Sequence, residues 1–115
     1  MAPMVDPAHL TDLRELMAED FILLLETYLN DGPRQLAAMR SAFTERHAQS
    51  LRSQAHSLKG ASSNIGATLL VSRLQQLEDS ALREDWSAAG ALLPEVTADF
   101  EQVCLELTEA LKPGV

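Results

Sequence analysis

Apolar residues recur at every third or fourth position along almost the whole chain, and no stretch alternates with period two between turn signals. A chain patterned this way buries one stripe per helix and offers nothing for a half-buried strand. The residue types agree: Ala and Leu dominate and aromatic residues make up only 4%, a mixture that favours helix over strand.

The stripes divide into five segments. A short amphipathic one runs from about His9 to Met17, with Leu10, Leu13, Leu16 and Met17 apolar. Glu19 and Asp20 open a long one carrying Phe21, Leu24, Leu25, Tyr28, Leu36, Met39 and Phe43. Its phase continues across Gly32–Pro33, so one kinked helix is expected rather than two. The third, from about Ala48 to Ile65, buries Leu51, Ala55, Leu58, Ser62 and Ile65, and Gly66 marks a turn. The fourth, from about Ala67 to Arg83, turns Ala67, Leu70, Val71, Leu74 and Leu77 inward. Asp85 caps a final helix with Leu92, Leu93, Val96, Phe100, Val103, Leu107 and Leu111 on its stripe; Trp86 anchors the loop before it, and Pro94 kinks it. Four long helices joined by short loops pack as antiparallel neighbours. The expected fold is all-α: an antiparallel up-down four-helix bundle with a short additional N-terminal helix. It forms one domain over residues 1–115, with its core at about 9–112.

Size and charge exclude much. A chain of 115 residues holds one core and has no room for a catalytic domain beside a nucleotide-binding one. Its formal net charge of −8 argues against nucleic acid and anionic membrane surfaces, whose phosphates attract Lys and Arg. No apolar run approaches a membrane span, and Met1 to Pro7 shows neither the basic nor the apolar region of a secretory leader. The one cysteine, Cys104, has no internal disulfide partner and fits a reducing compartment, packing as a small apolar residue. A cytoplasmic location is expected.

The informative segment runs from Ala55 to Glu78. At about 100° per residue, His56 falls on the flank beside the buried stripe of its helix. Arg52, Lys59, Gly60 and Ser63, at −4, +3, +4 and +7, share its surface. A neutral imidazole nitrogen is available near neutral pH, and Lys59 and Arg52 can neutralise charge on an incoming phosphoryl group. Phosphoryl transfer rests mainly on positioning and electrostatics. Gly60 leaves clearance above the ring at a cost of about 1 kcal/mol in a helix interior, and Ser63 keeps the next turn small. A carboxylate accepting from Nδ1–H would hold the ring in one tautomer and leave Nε2 free. Glu78, beside Leu77 on the following antiparallel helix, is the candidate.

The run His56-Ser57-Leu58-Lys59-Gly60, with Ala61, Ser62 and Ser63 following, Gly66 ten residues after the histidine, and Leu77–Glu78 downstream, resembles the signature of histidine-containing phosphotransfer (HPt) domains. The similarity extends over residues 9 to 112, although only the His56 segment is specific. It implies a helical bundle with an exposed mid-helix histidine that shuttles phosphoryl groups between receiver-domain aspartates. It also implies phosphorylation of His56 on Nε2, Lys59 as charge partner, Gly60 as clearance and Glu78 as orienter. The implied partners are the receiver of a hybrid sensor histidine kinase and the receiver of a downstream response regulator. They would dock on overlapping surfaces around His56 and the leading helix of a free, monomeric, bacterial-type module with no cofactor and no kinase activity of its own. One departure is His47-Ala48-Gln49, which lacks the Gly–Asp pair often found before the histidine helix and leaves that helix's cap in question.

Other chemistries fit less well. Lys59 precedes its glycine and no strand leads in, so Gly60 and Gly66 do not make a phosphate loop. His9, His47, His56 and Cys104 show no paired metal-ligand spacing. The main alternative is a helical adaptor in which His56 is never phosphorylated; a small metal- or ligand-binding bundle is a weaker one.

Overall fold

The computed structural model describes residues 2–112. It contains helices α1 (Pro7–Met17), α2 (Asp20–Thr44), α3 (Ala48–Asn64), α4 (Thr68–Leu82) and α5 (Trp86–Ala110), and no strand among the described residues. Helix α2 packs on α3, α3 on α4, α4 on α5, and α5 returns to α2, closing a four-helix bundle that α1 joins through α2. Leu25, Met39, Leu51, Leu58, Leu70, Leu74, Leu77 and Leu107 are fully buried at its centre. Both α2 and α5 run on through their prolines, Pro33 and Pro94, as single helices. Leu16, apolar in the sequence pattern, is 83% exposed.

Three-residue turns make the bundle helices antiparallel, and all three share one construction. The third turn residue returns its N–H to a carbonyl five positions back: His47 to Ala42 (2.8 Å), Ala67 to Ser62 (3.0 Å) and Asp85 to Ser80 (2.9 Å). The middle residue is left-handed, with φ of 56° at Arg46, 79° at Gly66 and 52° at Glu84. The third residue then starts the next helix. Asp85 accepts from the Ala88 N–H as expected. At α3, where the usual capping residues are missing, the His47 ring takes over: its Nδ1 accepts from the Ser50 N–H at 3.2 Å.

Helix lengths explain the rest of the architecture. Helices α2 and α5 have 25 residues each, α3 only 17 and α4 only 15. At about 1.5 Å per residue, the long pair overruns the α3–α4 hairpin by roughly 12–15 Å. The N-terminal segment covers that overrun. Val5 is buried, and Glu106 of α5 accepts from the Met4 and Val5 N–H groups at 2.9 and 2.8 Å. Burial pushes the Glu106 carboxyl up, but those two amides and Gln102 hold it below its ordinary value. Asp6 caps α1 by accepting from the Ala8 N–H, so the helix begins at Pro7, two residues earlier than the stripe alone suggests. The His9 ring bonds through Nε2 to the Asn64 carbonyl at 2.9 Å. It lies so close to Gly66 that a Cβ there would sit 2.7 Å from His9 Cδ2. Gly66 is therefore the one left-handed turn residue that also leaves room for a neighbour.

Candidate functional site

His56 projects from the middle of α3 with its side chain 69% exposed, while Glu78 on α4 has 12% of its side chain exposed. The two meet across the α3–α4 seam, His56 Nδ1 lying 2.5 Å from Glu78 Oε1. An ionised carboxylate only accepts, so Nδ1 carries the proton, and in the neutral ring Nε2 keeps its lone pair. The expected His56–Glu78 contact is thus present. Antiparallel packing brings together two side chains 22 residues apart.

Lys59 departs from its expected place. It sits one turn from His56, as the spacing required, but instead of lying free on the exposed flank it is half-buried, with 20% of its side chain exposed. Its ammonium donates to Glu78 Oε2 at 2.8 Å and to Gln75 Oε1 at 2.7 Å. The reason is register: α4 presents two acceptors where the α3 face alone would suggest solvent. Glu78 therefore divides its two oxygens between an imidazole and an ammonium. Burial pushes its carboxyl up, but the bonds and positive charge from Lys59, with the bond from His56, outweigh this and leave it below the ordinary carboxylate value.

Gly60 is exposed, and a Cβ added there would meet nothing within 4 Å. Packing gives no reason for a glycine at this helix-interior position. Arg52 is exposed and lines an open groove of about 310 Å³ with Gln49, Ser53, His56, Ser57 and Glu78. It forms no ion pair among the described residues. Ser63 lies exposed near the end of α3 and does not line that groove. The structure therefore joins His56, Glu78 and Lys59 in one network, sets Arg52 beside it, and leaves Gly60 and Ser63 on open flank.

Two features went unread in the sequence. Gln75 belongs to the network, and its signal was its spacing: three residues before Glu78, on the same face of α4. Charge is also segregated along the chain. None of the 17 acidic residues falls between positions 46 and 77, yet Arg46, Arg52, Lys59 and Arg73 do. Arg46 stacks on Phe43 and Trp86, and Arg73 pairs with Glu95 and Asp99 of α5. With Lys59 on Glu78, Arg52 is left as the cation facing the groove.

A closed helical bundle holding an exposed imidazole by Nδ1 is an arrangement suited to histidine phosphotransfer. The model of the Hpt domain family matches residues 23–111, and the chain belongs to that family. It is similar to the crystal structure of histidine-containing phosphotransfer protein B (HptB) from Pseudomonas aeruginosa PAO1, with 35% identity, 96% of each chain covered and a TM-score of 0.90. No curated protein gives a significant match. The protein acts in histidine phosphotransfer within a phosphorelay. Proteins of this family are phosphocarriers that interact with receiver domains. No helix among the described residues is long and apolar enough to cross a membrane.

Proposed function

We propose that His56 is the residue that carries the phosphoryl group, on Nε2, between the aspartate of a hybrid sensor kinase's receiver and the aspartate of a response regulator's receiver. The observation that carries this reading is the tie between Nδ1 and the buried Glu78, which fixes the tautomer and points a basic nitrogen at solvent. In the forward step Nε2 attacks the phosphorus of the aspartyl phosphate. The Nε2–P bond forms, the bond between phosphorus and the carboxyl oxygen breaks, and aspartate leaves as carboxylate. No proton needs to leave the ring: Nδ1–H stays on Glu78, whose negative charge balances the cationic phosphoimidazole. Transfer to the second aspartate is the same step reversed.

The other residues support this exchange. Lys59 already spends two N–H groups on Gln75 and Glu78, so it steadies Glu78 and offers its remaining N–H to the phosphoryl oxygens. Arg52 supplies positive charge beside the groove, and Gly60 and Ser63 give a partner room to close over the ring. Both partners must reach one imidazole and so exclude each other. We read the protein as a cytoplasmic, monomeric carrier without kinase activity of its own.

Incubation with a phosphorylated receiver domain tests this directly. The protein should take up phosphate that is labile in acid and stable in base. His56→Gln should abolish the uptake with unchanged helical circular dichroism and melting. Labelling that survives in His56→Gln, or an unlabelled wild type with every competent receiver tried, would end the proposal.

A further inference from the structure

Lys59 reaches the site on a long, flexible stem, and such a side chain needs more than one anchor to stay in a single geometry. Helix α4 supplies two acceptors for its ammonium: Glu78 Oε2 at 2.8 Å and Gln75 Oε1 at 2.7 Å. The Gln75 amide is itself oriented. Its Nε2 donates to Asp79 Oδ1 at 3.0 Å, one turn further along the same helix. Because Asp79 as a carboxylate can only accept, it takes the NH₂ end and turns the carbonyl end toward Lys59. Five side chains from two helices thus form one continuous chain, from Asp79 through Gln75, Lys59 and Glu78 to the Nδ1 of His56.

We propose that Gln75 is a positioning residue for phosphoryl transfer: it holds the Lys59 ammonium against Glu78, and Asp79 fixes which end of its amide does so. Gln75 forms no bond to His56 and acts only through the lysine. Without it, Lys59 keeps one anchor at the edge of water, and Glu78 loses the steady partner on its second oxygen. The imidazole is then held less firmly, while Nε2 and Gly60 are untouched. This inference rests on His56 being the phosphorylated residue, but the geometry it describes exists before any phosphoryl group arrives.

The test compares Gln75→Leu, Gln75→Glu, Asp79→Ala, Lys59→Ala and the double variant Lys59→Ala/Gln75→Leu with the wild type. Transfer from a phosphorylated receiver should slow about three- to tenfold in Gln75→Leu, the range expected for losing one hydrogen bond of ordinary strength at a partly exposed site. It should slow less in Asp79→Ala. Gln75→Glu keeps an acceptor for Lys59 and should restore most of the rate. In the Lys59→Ala background, Gln75→Leu should add nothing, because the two residues act as a unit. Independently of phosphorylation, the Lys59 ammonium resonance in ¹H–¹⁵N spectra should be visible in wild type and Gln75→Glu and broadened by solvent exchange in Gln75→Leu. Full transfer in Gln75→Leu with an unchanged ammonium signal would overturn the proposal, as would an equal further loss in the Lys59→Ala background. A wild type that takes no phosphate would instead sink the carrier reading, and the ammonium signal would still decide whether Gln75 holds Lys59.

Discussion

Along the α2–α5 seam each helix gives up a side chain so that a ring from the other can enter, whereas the one bare position beside His56 receives nothing. A Cβ on Gly32 of α2 would lie 2.6 Å from Phe100 Cε1, and one on Gly90 of α5 would lie 3.1 Å from Phe43 Cζ. Phe100 also packs against Tyr28 at 5.6 Å between centroids, and Phe43 meets Trp86 edge-on at 6.1 Å. Across the bundle, the α3–α4 seam closes on leucines, among them Leu58, Leu74 and Leu77, all fully buried. Its outer edge carries the polar chain from Asp79 to His56. Gly60 stands next to that edge over open space. The same residue type thus serves two ends. Gly32 and Gly90 are explained within the fold, while no packing contact within it accounts for the cost of Gly60 in helix stability.

The contrast can be broken from either side. The largest effect is expected at Gly32→Val, where the new side chain must displace a buried phenyl ring. A loss of about 2–3 kcal/mol, or roughly 10–20 °C in melting temperature, should appear in thermal unfolding, while folded protein at low temperature transfers phosphate at the wild-type rate. Gly60→Gln should do the opposite. Its stability should hold or rise, by up to about 1 kcal/mol from helix propensity, while transfer from a phosphorylated receiver falls by about tenfold or more. Unchanged transfer in that variant would remove the clearance role of Gly60.

A smaller effect sharpens the contrast by pH. The Glu78 carboxyl sits below its ordinary value, so its ionised form stabilises the fold above the unfolded value of about 4.3. That contribution is lost as pH falls through the lower folded value. Denaturant titrations from about pH 6 to pH 3 should therefore show the wild type losing more stability than Glu78→Gln, so the gap between them narrows in acid. A gap independent of pH would mean that Lys59 and His56 do not hold Glu78 in its charged form. Glu106, lowered by the Met4 and Val5 amides, adds an acid-sensitive contribution of its own in both proteins.

Much of the site was legible because it is helical. His56, Lys59 and Gly60 fall on one flank by spacing alone, and Leu77–Glu78 carries the family pattern. The burial of Lys59 was not legible, since it depends on which residues of α4 lie opposite. Nor was the His47 cap, because imidazole is an uncommon N-cap acceptor and nothing local marks it. Arg46 and Glu84 take the same left-handed turn conformation as Gly66, but carry none of the glycine signal that revealed it.

Sequence by itself determined the five helices, the inward faces of the four bundle helices and the flank that bears the histidine, because a 3.6-residue period belongs to one helix at a time and is written in consecutive residues. Tertiary structure alone decided the other pairings between helices, beyond the expected one of His56 with Glu78: Glu78 with Lys59, Gln75 with Lys59, His9 against Gly66, and Glu106 with the N-terminal amides. Each of these depends on the rotation and axial register of one packed helix against another. Those are set by the whole core at once, and no local run of residues encodes them.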